Sequence, residues 1–109
     1  MLAMWSIVTL GPAVDAELEA LPVDLLARLA RVGELIRAHG LERVREPHVK
    51  HIEGPLWEIR LTGRDGIARA LYVTASGKRV VIVRVFVKKT QKTPRSEIIL
   101  ALTRAKEVI

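Results

Sequence analysis

The side chains with chemistry to offer crowd into the second half of the chain. Glu58 and Arg60 stand two residues apart, Arg69 and Arg84 follow, and Lys88, Lys89 and Lys92 form a short run before Arg95. Arginine presents a planar fork of donors that fits phosphate or carboxylate oxygens in bidentate fashion, and lysine adds a point charge. Such a set binds anions and stabilises negative charge that develops in a transition state. Glu58 could take a proton or hold a guanidinium in place. Other chemistries lack parts. The chain has no cysteine, which excludes disulfide scaffolds, zinc ribbons and thiol nucleophiles. His39, His48 and His51 all precede the basic half, so its serines and threonines have no histidine partner for a Ser-His-Asp arrangement. His48 and His51, with Glu46 and Glu53 nearby, offer no evident third ligand, and no metal or cofactor site is expected.

The charge is uneven. The formal +6 divides into −2 over residues 1–55 and +8 over residues 56–109. Arginine outnumbers lysine twelve to six. A basic half on a 109-residue chain that is 50% hydrophobic points to a folded domain with a polyanionic partner, most often nucleic acid. The length suits one domain over residues 1–109. No apolar run is long enough to span a membrane. Met1 to Val14 has no charged side chain, but it lacks a basic start and is broken by Gly11-Pro12, so it is not read as a signal peptide. The cytoplasm is the expected compartment.

The elements that must hold these residues follow from periodicity. Residues 4–10 read as a strand, ended by Gly11-Pro12. A helix begins at Pro12 and breaks at Pro22. A second helix covers 23–39, with Leu25, Leu29, Val32 and Ile36 on one stripe, Arg28, Arg31 and Arg37 off it, and Gly40 as its stop. Residues 41–55 are polar, contain two prolines and read as a connection. Residues 56–62, 67–75 and 79–87 form a three-stranded meander with turns at 62–66 and Ser76-Gly77. Gly63-Arg64-Asp65-Gly66 has the G-x-x-G spacing of a backbone-clamping loop, but that loop joins helices and this one joins strands. Thr93 caps a last helix that opens at Pro94, with a stripe of Ile98, Ala101/Leu102, Ala105 and Val108/Ile109.

Hairpin register turns this list into a surface. A four-residue loop from Gly63 to Gly66 sets Arg60 opposite Arg69 and Trp57 opposite Tyr72. A two-residue turn at Ser76-Gly77 sets Arg69 opposite Arg84. Alternation then writes two faces. One is uncharged, runs from Trp57, Ile59 and Leu61 through Tyr72 to Val81, Val83 and Val85, buries the Trp57–Tyr72 pair and must be covered by helices. The other carries Glu58, Arg60, Arg69, Arg84, Phe86 and Lys88 among Val80, Ile82 and other aliphatics. Three arginines in a cross-strand row are destabilising unless an anion or Glu58 compensates, so the row reads as an anion-binding floor. A one-residue slip would split it between the faces.

Leu56-Trp57-Glu58-Ile59-Arg60, Gly66-Ile67-Ala68-Arg69-Ala70-Leu71-Tyr72 and Phe86-Val87-Lys88-Lys89-Thr90-Gln91-Lys92-Thr93-Pro94, followed by Glu97-Ile98, resemble the phage-derived HigB-type toxins of the RelE superfamily. The resemblance is close over residues 50–109 and rests on element order alone over 4–40. It implies an α+β fold, with N-terminal helices and a C-terminal helix packed on a small antiparallel sheet in the order β-α-α-β-β-β-α. It implies a metal-independent endoribonuclease that cuts mRNA in the ribosomal A site, without a cofactor. It also implies a cognate helix-turn-helix antitoxin. Carried onto this sequence, the arginine at the scissile phosphate is Arg69, with Arg60, Glu58, Lys88 and Lys89 lining the catalytic site. Arg84, Phe86, Lys92 and Arg95 are expected to hold substrate around it. The first helix, acidic and distant from the basic strands, is an expected antitoxin surface.

The chemistry of such an enzyme is attack of a ribose 2′-hydroxyl on the adjacent phosphorus. It needs a base, an acid for the 5′ oxygen, and cations on the phosphorane. Many relatives carry a tyrosine or histidine near the C-terminal end for this purpose, where this chain has Ile98-Ile99. A non-catalytic RNA- or ribosome-binding module of the same fold is therefore the rival reading. A DNA-binding regulator fits less well, because the basic half lacks two helices in helix-turn-helix order.

Overall fold

The arginines are placed by strand register, and the register comes from two loops and one bulge. A computed structural model describes residues 4–45, 47–64, 66–88 and 92–108. The elements are β1 (Ser6–Thr9), α1 (Pro12–Glu19), α2 (Val23–His39), a 3-10 turn (Leu41–Arg43), β2 (Val49–Glu53), β3 (Leu56–Thr62), β4 (Ile67–Ala75), β5 (Arg79–Lys88) and α3 (Arg95–Ala105). The strands form one sheet in the order β1-β5-β4-β3-β2. β1 runs parallel to β5, and the other neighbours are antiparallel.

The β3–β4 hairpin is as expected. Gly63 N–H donates to Gly66 C=O at 2.8 Å, Thr62 pairs with Ile67, and Arg60 lies directly opposite Arg69. The second hairpin is not. Ala75 pairs with Arg79, so the loop is Ser76-Gly77-Lys78, one residue longer than expected. Gly77 and Lys78 take φ of +79° and +54°, the left-handed conformation that closes a three-residue hairpin loop. A bulge then adds a second slip, because Tyr72 pairs with Ile82 while Leu71 pairs with Arg84, leaving Val83 as the extra residue. One slip flips a face and two restore it. Val81 and Val83 therefore join the core under α3, and Val80 and Ile82 join the core under α1 and α2, the reverse of the expected faces. Past the bulge Phe86, not Arg84, stands opposite Arg69.

Both sheet faces are covered. The α2 stripe Leu25, Leu29, Val32 and Ile36 packs on Ile59, Leu61, Ala68, Ala70 and Tyr72. On the other side Ala101 and Ala105 of α3 pack on Leu71, Val73, Val81, Val83 and Phe86. Residues 41–55 hold a strand that the sequence pattern hides. The buried Val49 and the half-buried Ile52 are three apart across a bulge between His51 and Glu53, so no period of two is present. Trp57 does pair with Tyr72, but only Tyr72 is buried. Trp57 is 39% exposed, its ring edge-on to His51 at 4.9 Å, because the neighbouring β2 strand is polar and short. α2 meets the β3–β4 hairpin closely: Asp24 Oδ2 accepts the Arg64 backbone N–H at 2.7 Å.

Candidate anion-binding site

β3 projects Glu58 and Arg60 to the same side, two residues apart, and β4 brings Arg69 against Arg60. Like charges directly opposed across strands repel. The compensation is internal and partial. Glu58 Oε1 lies 3.5 Å from Arg69 Nε and 3.8 Å from Arg60 Nε. Glu58 Oε2 accepts the Thr93 hydroxyl at 2.6 Å. Glu58 and Arg69 are each 3% exposed, so this is a buried ion pair with its carboxylate fixed at both oxygens. Arg69 Nη1 donates to the Ala68 carbonyl at 2.9 Å, while Arg69 Nε has no hydrogen-bond partner among the described residues. Arg60, with 29% of its side chain exposed, is the guanidinium that faces solvent. Burial, opposed by Glu58 and reinforced by Arg60, pushes Arg69 below the usual arginine value.

Lys88 at the end of β5 is buried near this group. Its ammonium is pushed below the ordinary lysine value by burial first, then by Arg69, with Arg60 and Lys50 adding and Glu58 opposing. Arg60, Arg69, Glu58 and Lys88 thus form one electrostatic unit. Lys89 lies outside the described residues, and Lys92 is exposed.

The structure separates the other expected residues from this unit. Arg84 does not complete a row, because the longer turn and the bulge move it opposite Leu71. Its guanidinium is taken by Glu17 of α1 and Glu97 of α3, each at 2.7 Å. Phe86 is 9% exposed and belongs to the α3 core, with Arg84 Cζ 5.8 Å from its ring centre, so it offers no stacking face. Arg95 is paired to Glu53 of β2 through both guanidinium nitrogens. Thr93 does not cap α3. Pro94 occupies the cap position and the Thr93 hydroxyl goes to Glu58 instead.

Residues outside the expected set complete the site. A cleft of about 840 Å³ opens between α2 and the β3–β4 hairpin. Arg60, Arg64 and Arg69 of the hairpin line it together with Arg28 and Arg31 of α2, and so do His48 and Asp24. Position off the apolar stripe was the available signal for Arg28 and Arg31. The sequence gives no contact between that helix and the hairpin. His48 joins because its carbonyl accepts the Arg60 N–H at 2.8 Å, which extends the β2–β3 ladder to the cleft. His51 turns the other way, its Nε2 2.8 Å from the Gly54 carbonyl. Among the described residues no group of three or more His, Asp or Glu side chains is arranged to hold a metal ion.

A five-stranded sheet with two helices between its first and second strands and one after its last, and an arginine-lined cleft at its hairpin end, defines a small α+β protein of RelE-like architecture. The archaeal RelE–RelB complex from Pyrococcus horikoshii OT3 contains a chain of the same fold, with a TM-score of 0.55 at 19% identity, covering 77% of this chain and 94% of that one. Residues 16–106 match the family described as phage derived protein Gp49-like (DUF891), and the chain belongs to that family. No curated protein matches it. No described helix is long and apolar enough to cross a membrane.

Proposed function

We propose that this chain is the toxin of a type II toxin–antitoxin pair, a HigB-like endoribonuclease that cuts mRNA on the ribosome and is held in check by a helix-turn-helix antitoxin. The Gp49-like family and the RelE-like fold support the class. One observation carries the chemistry: Arg60 and Arg69 are forced together by β-sheet register, and a single fixed carboxylate offsets them only in part. An anion at the cleft would relieve the remaining repulsion, and Arg69 Nε is a buried donor without an acceptor among the described residues.

The residues divide the work. Arg60 faces the scissile phosphate, and Arg69 behind it adds charge to the phosphorane. Glu58, with one oxygen bonded to Thr93 and the other against both guanidiniums, positions them rather than taking the proton. His48 lines the same cleft and carries the imidazole that most often takes a proton in such reactions. Lys88, whose lowered pKa makes its ammonium a better donor, protonates the departing 5′ oxygen. The 2′-hydroxyl proton goes to His48, the 2′ oxygen bonds to phosphorus, and the bond to the 5′ oxygen breaks. The reaction leaves a cyclic phosphate and a 5′-hydroxyl.

Primer extension on translated mRNA after induction tests the reading. Wild type should produce discrete stops, and Arg60→Ala and Arg69→Ala should each reduce them at least about a hundredfold, the scale of losing one preorganised donor to transition-state charge. Absence of cleavage and growth arrest with wild type would sink the toxin reading. The rival, a non-catalytic RNA-binding module, is supported by the absence of a tyrosine or histidine at the Ile98-Ile99 position, and it predicts binding without stops.

A further inference from the structure

Among the described residues arginines without a carboxylate partner occur across the surface, Arg37, Arg43, Arg45 and Arg79 included, but only some of them line the cleft. Arg84, Arg95 and Arg104 are each engaged by carboxylates: Arg84 by Glu17 and Glu97, Arg95 by Glu53, Arg104 by Glu17. In the cleft Glu58 offsets Arg60 and Arg69, and the α2 side of it is less compensated. Among the described residues no ion pair engages Arg28 or Arg64. Arg31 meets only Glu34 one turn along its own helix, at 3.3 Å, with both side chains about two-thirds exposed. A contact of that kind is weak and easily exchanged. Among the described residues the one carboxylate lining the cleft, Asp24, accepts the Arg64 backbone N–H.

The spacing suits an extended strand. Arg28 and Arg31 are three apart, so they lie on one helix face. Both line the cleft that Arg60, Arg64 and Arg69 also line. We infer that Arg28 and Arg31 of α2 form a phosphate track that binds the sugar–phosphate backbone of a single-stranded RNA next to the phosphate held at Arg60. This deepens the proposed ribonuclease reading by assigning the path of its substrate, between α2 and the β3–β4 hairpin. The ligand chemistry is a row of phosphodiesters, recognised without reading bases. Arg37, equally charged and on the same helix, is not among the cleft residues and takes no part.

The test is equilibrium binding of a fluorescein-labelled 2′-O-methyl-RNA octamer, which cannot be cut, followed by anisotropy between about 50 and 200 mM salt. For single strands each phosphate contact contributes about 0.7 to the slope of log K against log salt. The double variant Arg28→Ala, Arg31→Ala should lose about 1.4 of that slope and bind about tenfold more weakly at the low-salt end. Arg28→Lys, Arg31→Lys should recover the slope, and Arg37→Ala should match wild type. A hexaglutamate peptide should not displace the octamer. A slope unchanged in the double alanine variant overturns the track, and so does an equal loss in Arg37→Ala. Displacement by the peptide with the same dependence on Arg28 and Arg31 would also overturn it, assigning the cleft to an acidic protein. The octamer is never cleaved, so failure of the ribonuclease reading shows in primer extension alone. A track with the expected slope beside an inactive wild type would leave the inference standing and remove the catalysis.

Discussion

Thr93 and Lys88 show how single side chains tune the arginine pair. The Thr93 hydroxyl reaches across 35 positions of sequence to a carboxylate that is 3% exposed. Thr93→Val keeps the shape and removes the donor. It should lower stability by about 1.5–3 kcal/mol, the range for a hydrogen bond to a charged group, read as a shift of the urea midpoint. Cleavage should fall with it, mainly in kcat, because Glu58 no longer fixes Arg60 and Arg69. Lys88 carries a pH signature. Its folded-state pKa lies below the ordinary 10.5, for burial and for its neighbours Arg69 and Arg60. Between those two values the unfolded chain binds more protons than the folded one, so stability rises with pH through that alkaline window. Lys88→Met abolishes the titration. Buried Tyr72, whose pKa burial raises above the ordinary 10.0, costs both proteins stability as pH rises past that value, so the readout is the difference between them: wild type should gain on Lys88→Met across the window, and parallel curves would show that Lys88 is not the group responsible.

At the scale of elements, the cleft depends on α2 meeting the β3–β4 hairpin at Gly63. A Cβ there would stand 2.2 Å from Asp24 Oδ2 and 2.8 Å from Leu25 Cδ2. Asp24 would have to swing away and release the Arg64 N–H. Gly63→Ala should therefore destabilise by about 1–3 kcal/mol, as overpacking does, and weaken octamer binding by widening the cleft, while Gly66→Ala, with nothing within 4 Å, should do neither. A thermal melt of both variants checks it. The same junction marks the limit of what the sequence made legible. Helix α2 was readable to its ends because a stripe of four apolar residues, a proline and Gly40 all agreed. The first hairpin was readable because its four-residue loop has a glycine at each end, and it placed Arg60 against Arg69 correctly. The second was not. A non-glycine residue, Lys78, takes the left-handed position in its loop, and the Val83 bulge sits within a run of valines and isoleucines in which any register buries apolar side chains. That ambiguity concealed the true place of Arg84. β2 and the α2 wall of the cleft were hidden for another reason. One has no alternation, and the other exists only through tertiary contact between segments some forty residues apart.

Over the whole molecule, a net +6 has to be distributed so that the fold survives its own repulsion. Glu17 does much of this among α1, β5 and α3, outside the cleft lining. Its carboxylate contacts Arg84 at 2.7 Å and Arg104 at 2.9 Å, and accepts the Val85 N–H at 3.0 Å where β5 runs on past the end of β1. One side chain therefore ties α1, β5 and α3 together. Burial pushes its pKa up, but the Val85 N–H and the two guanidiniums outweigh burial and hold it below the ordinary 4.5. The unfolded chain then takes up protons at higher pH than the folded one, so this stabilisation is complete above 4.5 and disappears as pH falls through the lower folded value. Glu17→Gln retains an acceptor for Val85 and loses the charge. With Arg84 still held by Glu97 and Arg104 by the Val83 carbonyl, the loss at neutral pH should be about 1–3 kcal/mol, between the exposed and the buried limits for an ion pair. Denaturant midpoints of the two proteins should converge in acid, once wild-type Glu17 is itself protonated. A gap that persists there would mean the residue acts through packing rather than charge. RNA cleavage by Glu17→Gln should remain within about twofold of wild type, because the arginines it neutralises are the ones the fold has withdrawn from the cleft.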